Sequence, residues 1–449
     1  MPSNTFAYRA TICLIWALAL WHSWTCRGLF VDGSAFLVQI VRREWFFEFY
    51  APRLYAMIAG QIPVMTAVTL GVTDLHLLAR LLSFGLFGLP TLFYTFALHR
   101  VKDEPVLMAI VIAAIAIVFM TTSFFIVGEY NTAYAITLMV AVRLATAERL
   151  TFVDSLVLVL AAALATRTYE VMIYLGPLMS LMILWRVWRA PARPIVPTLL
   201  HLAAAGFFIF AMFVAIDSVV FPHSAEHLVE SWHQAFFFWQ NMQFDLAFIA
   251  ALVIVVWGLL RPDDLATLRP YRWALILLAI LALSPLLALT DTLVRPLAKS
   301  QYVARMASGL VIAFMVVIIW AYKAKPQRKL PALAALAAPA AGRRLLGFAC
   351  LMLLAVVPSD LFLTATWSRY LDSVVATVRN HTGVVAFEDT PLSRRPHILL
   401  VENWVLTSQS LALRSKSGDA VVAPPRDFTE WVPFPPRGPP NIGLFFWRD

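Results

Sequence analysis

Long apolar runs separated by short charged breaks dominate this chain, at 10–24, 81–98, 105–120, 132–142, 152–165, 171–185, 199–220, 246–260, 273–289, 303–320 and 345–363. Most approach the roughly 20 residues that an α-helix needs to cross the hydrocarbon core of a bilayer. The pattern predicts an all-α polytopic membrane protein with about eleven transmembrane helices. A further apolar run at 54–70 is interrupted by Gln61 and Pro63, and counting it as a span would invert everything downstream. Charge decides that parity. With eleven spans, the inner loops hold Arg100 and Lys102, Arg149, Arg186, Arg189 and Arg193, then Arg261, Arg269 and Arg272, and finally Lys323, Lys325, Arg328, Lys329, Arg343 and Arg344. This is the excess that the positive-inside rule expects of cytoplasmic loops. The N-terminus is then cytoplasmic and the 54–70 run is an interfacial helix on the outer surface.

After residue 363 the chain turns polar, with short strand-like pieces at 398–401 and 443–447 and a proline cluster at 433–440. It reads as a small external appendage. The expected division is a membrane domain at 1–366, including a first outer loop at 27–77, and an extracytoplasmic tail at 367–449.

Composition supports a lipid solvent. Of 449 residues, 61% are hydrophobic and 14% charged, against about 25% charged in an ordinary soluble chain. Mean hydropathy is +0.77. The net charge of +9 is accounted for by the inner loops, and no nucleic-acid motif accompanies it. Cys13, Cys26 and Cys350 give neither a disulfide framework nor a zinc knuckle. Arg9 precedes the first apolar run, but no small-x-small site follows, so that run is read as an uncleaved span of an integral inner (plasma) membrane protein.

With orientation set, unusual charged residues fall on the outer side. Asp32 follows the first span, in Phe30-Val31-Asp32-Gly33-Ser34, and Glu129 opens the fourth with Tyr130 beside it. Arg167, Tyr169 and Glu170 fill the short turn between the fifth and sixth spans, and Arg295, Lys299, Gln301 and Arg305 lie between the ninth and tenth. Ionisable groups at membrane depth cost several kcal/mol unless paired or wet, so they are functional candidates. A carboxylate can take a proton from an incoming hydroxyl, while Arg or Lys can hold a departing phosphate. That inventory suits moving a sugar from a lipid-linked phosphate to an acceptor.

Each candidate has a plainer reading. Asp32 suits the N-cap of a following surface helix. Glu129 suits a solvated acid at the membrane edge, and Arg167 and Glu170 an ion pair across a short loop. Arg295 and Lys299 suit snorkelling cations, and Arg53 and Arg80 suit head-group anchors, with Arg53 equally placed to reach a phosphate. His223-Ser224-Ala225-Glu226-His227 fits H-x-x-E-H, a spacing known from zinc peptidases, but no third ligand is named downstream. A solvated loop helix with Glu230 and His233 suits that segment better; a divalent cation beside a phosphate is the other metal role it allows. Phe236 to Trp239 reads as an interfacial aromatic belt.

The first outer loop resembles that of the GT-C class of multi-pass membrane glycosyltransferases, of the protein mannosyltransferase and aminoarabinose transferase type. The likeness rests on Asp32 after the first span and on Tyr50-Ala51-Pro52-Arg53-Leu54-Tyr55 opening an apolar surface helix. Gly71-Val72-Thr73-Asp74-Leu75 and Ala79-Arg80-Leu81 then lead into the second span. Order and spacing match over about the first hundred residues; beyond them the likeness is one of architecture. The resemblance implies that Asp32 is the catalytic base and that Glu129 assists near the donor. Family members often carry a second acid beside the first; here that place is Gly33, which leaves any metal requirement open.

The expectation is therefore a polyprenyl-phosphate-sugar-dependent glycosyltransferase that works at the outer face on a lipid or glycan acceptor, with inversion implied by the resemblance. Asp32 and Glu129 would be catalytic, and Arg53, Arg167, Arg295 and Lys299 would hold the donor phosphate. Tyr130, Tyr169 and Glu170 would line the pocket, membrane lipids would surround the helices, and a divalent cation is the one cofactor allowed for. The competing class is a multi-pass transporter or flippase for a lipid-linked or anionic substrate, which predicts charges in mid-span and two similar halves. A third is a membrane scaffold whose tail binds a partner.

Overall fold

The computed structural model describes residues 3–123, 129–149, 151–190, 193–222, 229, 233, 235–288, 303–323, 331–394, 400–425 and 442–448. Every apolar run is helical where described. The helices are α1 (Asn4–Trp24), α2 (Asp32–Arg43), α3 (Leu54–Thr69), α4 (Leu75–Val101), α5 (Pro105–Ala114), α6 (Glu129–Thr146), α7 (Phe152–Ala165), α8 (Met172–Arg189), α9 (Ile195–Val220), α10 (Met242–Leu260), α11 (Arg269–Ala288), α12 (Arg305–Lys323), α13 (Pro339–Asn380) and α14 (Leu406–Ala412). Starts are set by side chains that accept orphan helix N–H groups. Ser3 accepts from Phe6 at α1, Asp74 from His76 at α4, Thr151 from Asp154 at α7 and Asn241 from Phe244 at α10.

Among the described residues, six helices are long and apolar enough to cross a membrane: α4, α9, α10, α11, α12 and α13. The chain is an integral membrane protein built almost wholly of helices. Its centre is α4, α5 and α6, with α6 buried from Glu129 to Val142. The outer helices present large apolar side chains outward, Phe210 and Phe213 on α9 and Leu252 and Leu259 on α10 among them, a surface that matches acyl chains rather than water.

The interrupted run at 54–70 is also helical, as α3, and packs on α4. Gln61, one of the residues that breaks its apolar pattern, holds the neighbouring backbone: its amide accepts from Phe47 N–H at 2.8 Å and donates to Phe47 C=O at 2.9 Å. It thereby pins the chain between α2 and α3. Pro63 is accommodated inside α3.

The last membrane helix is the longest. At about 1.5 Å per residue, the 42 residues of α13 span about 63 Å, roughly twice the hydrocarbon thickness. It therefore continues beyond the bilayer and across residue 366 into the tail. There β1 (Val384–Ala386) and β2 (Val421–Ala423) pair in parallel, Val384 opposite Val421. These strands are not those expected. Leu400 and Val401 are not in a strand and the start of the 398–401 piece lies outside the described residues; in 443–447 only Phe446 pairs, in an isolated bridge with Asp74. The alternation at 443–447 is satisfied by docking onto another element rather than by sheet formation. The tail is packed onto the membrane domain: α14 lies on α2, and Tyr370 of α13 donates to Gln409 at 2.8 Å.

Candidate active site

The turn from α1 into α2 carries Asp32, and it is held from several sides. Arg27, fully buried, donates through Nη1 to Asp360 Oδ1 at 2.7 Å and Thr364 Oγ1 at 2.8 Å, both on α13, and through Nη2 to Ser123 at 3.3 Å. His22 contacts the other Asp360 oxygen at 2.7 Å, and its ring lies tilted against Phe87 with centroids 4.5 Å apart. Trp367 donates to the Thr25 carbonyl at 3.1 Å, and Gly28 N–H donates to Ser83 Oγ at 2.9 Å. Between these anchors the backbone is strained: Val31 sits at φ +56° and Cys26 at +51°, values that a β-branched residue adopts only when its surroundings enforce them.

Gly33 follows from the same crowding. A Cβ there would collide with the Gly28 carbonyl oxygen, so no second acid fits beside Asp32.

Asp32 is the first residue of α2, with Val31 in the N-cap position. Its carboxylate accepts from Trp404 Nε1 of the tail at 3.1 Å, the hydrogen bond it makes among the described residues. The plain helix-cap reading is thus not what this side chain does. Burial pushes its carboxyl above the ordinary carboxylate range, opposed by the Trp404 N–H and by the charges of Arg53 and Arg305.

Arg53, in the short turn before α3, forms the hub. Its Nε and Nη2 donate to Glu170 Oε1 at 3.0 and 2.7 Å, and its guanidinium lies over the Tyr169 ring at 4.9 Å. Burial works to lower its pKa, but Glu170, Tyr169 and Glu129 outweigh burial and hold it protonated. Glu129 is 2% exposed and feels the charges of Arg53, Asp32 and Glu170. Tyr130 packs on Tyr169 at 5.6 Å and donates to the Thr122 carbonyl at 2.7 Å. Arg305, at the start of α12, faces the Tyr169 ring at 5.7 Å, and its carbonyl accepts from Tyr134. Residues far apart in the chain, Asp32, Arg53, Glu129, Tyr130, Tyr169, Glu170 and Arg305, therefore share one buried cluster.

Arg167 stands to one side. Its carbonyl accepts from Tyr55 N–H at 3.0 Å, tying the turn between α7 and α8 to the start of α3. Its side chain lines a groove of about 610 Å³ with Pro52, Phe210, Phe213, Asp217 and Val220. Residues of α9 form most of that wall, and Arg167 and Asp217 are its charged members. Arg295, Lys299, Gln301, His223, Glu226, His227 and Glu230 lie outside the described residues. Among the described residues no cluster of three His, Cys, Asp or Glu side chains can hold a metal ion; the acids of this site are interleaved with arginines. A divalent cation would have to share Asp32 or Glu129 with those guanidinium groups.

No protein family, curated protein or solved structure matches this chain.

Sequence reasoning passes over two contributors. Trp404, in the tail, carries no local signal that pairs it with Asp32, 372 residues away. Asp360 does carry one: it is an acid within the last apolar run, and such a residue is costly unless it has a partner. His22 and Arg27 are its partners.

Proposed function

We propose that the protein is a polyprenyl-phosphate-sugar-dependent glycosyltransferase of GT-C type, acting at the outer face of the inner membrane on a lipid or glycan acceptor. The carrying observation is the convergence of Asp32, Glu129 and the Arg53–Glu170 pair in one buried cluster near an apolar groove that Arg167 also lines. The likeness of the first hundred residues to that class adds to it. In this reading eleven helices span the bilayer, the N-terminus is cytoplasmic and the tail is extracytoplasmic, consistent with the basic residues at the other end of the bundle.

Asp32 takes the proton of the acceptor hydroxyl as its oxygen forms a bond to the anomeric carbon. The bond from that carbon to the phosphate oxygen breaks, and polyprenyl phosphate departs with the electron pair, inverting the sugar. An environment that raises the carboxyl's affinity for a proton makes the carboxylate a stronger base. Glu129 orients the sugar. Arg53 presents its Nη1 edge, Glu170 occupying Nε and Nη2, and Arg167, Arg295 and Lys299 take up the phosphate charge. The groove under Phe210 and Phe213 receives the prenyl chain. A divalent cation is an optional aid to the phosphate.

This placement is tested by photo-crosslinking with a polyprenyl-phosphate sugar that bears a diazirine in its tail. Adducts on α9 around Phe210 and Phe213, weakened in Arg167→Gln, are expected; adducts confined to other helices contradict the assignment.

Asp360 favours a second reading, transport of an anionic or lipid-linked substrate, because it is an ionisable residue inside an apolar run with His22 and Arg27 against it. Substrate movement into proteoliposomes that needs Asp360 and tolerates Asp32→Asn would select that reading.

A further inference from the structure

At the other end of the bundle, α6, α8 and α12 enclose a second, smaller cavity. All three helices begin beside the cluster just described, at Glu129, Met172 and Arg305, and run 18, 18 and 19 residues to end at the cavity. That length is about 27 Å, close to a full hydrocarbon thickness. The cavity therefore lies at the opposite membrane boundary from Asp32.

Its volume is about 100 Å³ and its walls include Ala145, Ala147, Trp185, Arg186, Trp320 and Lys323. That is room for several water molecules or a phosphate group. The polar side chains on the wall are all donors with no acceptor capacity: a guanidinium, an ammonium and two indoles. Two donors are buried and lack a hydrogen-bond partner among the described residues, Arg186 Nε and Trp320 Nε1. Arg186 is fixed by donating through Nη2 to the Ala147 carbonyl, and Trp185 meets Trp320 edge-on at 5.3 Å. Lys323 is tethered to Glu104 at 2.5 Å, while Arg189 lies over the Trp185 ring at 5.2 Å. Buried donors left unpaired are costly, and a wall whose polar side chains are all donors, two of them unpaired, suits an acceptor such as an anionic oxygen.

The surroundings choose the anion's carrier. One helical turn before the two cavity tryptophans stand Leu181 and Val317, both exposed, and Leu184 and Trp188 extend the apolar flank on α8. A free phosphate would leave that flank unused; a lipid whose phosphate enters the cavity lays its acyl chains along it. We propose that this cavity binds the phosphate of an anionic membrane lipid, on the face opposite the proposed reaction. The inference does not depend on any reaction at Asp32.

The test is lipid retention by the full-length protein in detergent, read by native mass spectrometry with phosphatidylglycerol or phosphatidylcholine added. The wild type is expected to retain phosphatidylglycerol at about tenfold lower concentration than phosphatidylcholine. Trp320→Phe removes one N–H and keeps the ring, so it is expected to weaken phosphatidylglycerol retention up to about tenfold, and Arg186→Gln further, in line with hydrogen bonds to a charged group. Equal retention of the two lipids by the wild type overturns the proposal, and that comparison stands even where a variant does not fold. Unchanged retention in both variants also overturns it. Inorganic phosphate raising the melting temperature of the delipidated protein as much as phosphatidylglycerol does, with the effect lost in Trp320→Phe, would make the occupant a free anion and overturn the lipid assignment.

Discussion

At the scale of single residues, Asp32 has its character set by what touches it. It is enclosed by a strained turn, faced by Arg53, Arg305 and Glu129, and hydrogen-bonded by an indole from the far end of the chain. Carbodiimides modify protonated carboxyls, so labelling of Asp32, located by mass spectrometry, falls as pH rises through its pKa. The midpoint is expected above the ordinary value of about 3.9, because burial favours the protonated form. Trp404→Phe removes a hydrogen bond that favours the charged form and is expected to move the midpoint higher still. A midpoint at or below the ordinary value in the wild type, or no movement in the variant, contradicts this account. Gly33 gives a second prediction. Gly33→Ala forces a methyl into the Gly28 carbonyl and is expected to cost about 1–3 kcal/mol or more of stability, seen as a lowered melting temperature in detergent. An unchanged melting temperature would mean that the turn relaxes freely and admits a side chain at position 33.

At the scale of elements, the buried pairing of Arg27 with Asp360 joins the α1–α2 turn to α13. Removing one partner leaves an uncompensated buried charge, so Asp360→Ala is expected to cost about 3–5 kcal/mol. Replacing both, as Arg27→Met with Asp360→Leu, is expected to cost much less. Equal losses in the single and double variants, measured by unfolding in detergent, would show that the helices are held by other contacts. The helices themselves were legible in the sequence because apolar length and charged breaks follow directly from the bilayer's thickness. The gathering of Asp32, Glu129, Arg53 and Glu170 was legible only as a shared face, since positive-inside counting says which boundary a residue reaches and nothing of which neighbours it meets there. The part played by Gln61 was hidden: its amide is read by the Phe47 backbone, a pairing that no periodicity encodes. Arg167 lies beside the Arg53 cluster and lines the neighbouring groove, a position that the turn between two apolar runs does not specify.

At the scale of the whole molecule, the tail closes over the membrane domain. Phe446 bridges to Asp74, Leu75 N–H donates to the Phe446 carbonyl at 2.9 Å, Arg448 N–H donates to Asp74 at 3.2 Å, and Trp447 stacks on His76 with ring centres 4.2 Å apart. These contacts hold the end of the chain to the start of α4, on the same side as Trp404 and Asp32. Deleting residues 442–449 is expected to speed carbodiimide labelling of Asp32 several-fold with little change in melting temperature; unchanged labelling would make the strap irrelevant to access. The central claim is that this covered cluster transfers a sugar with Asp32 as base, and it is met most directly by incubating the purified protein with polyprenyl-phosphate sugars and candidate acceptors. The account predicts that Asp32→Asn lowers transfer by about 10²–10⁴-fold while donor binding persists; equal turnover in the wild type and Asp32→Asn would contradict it.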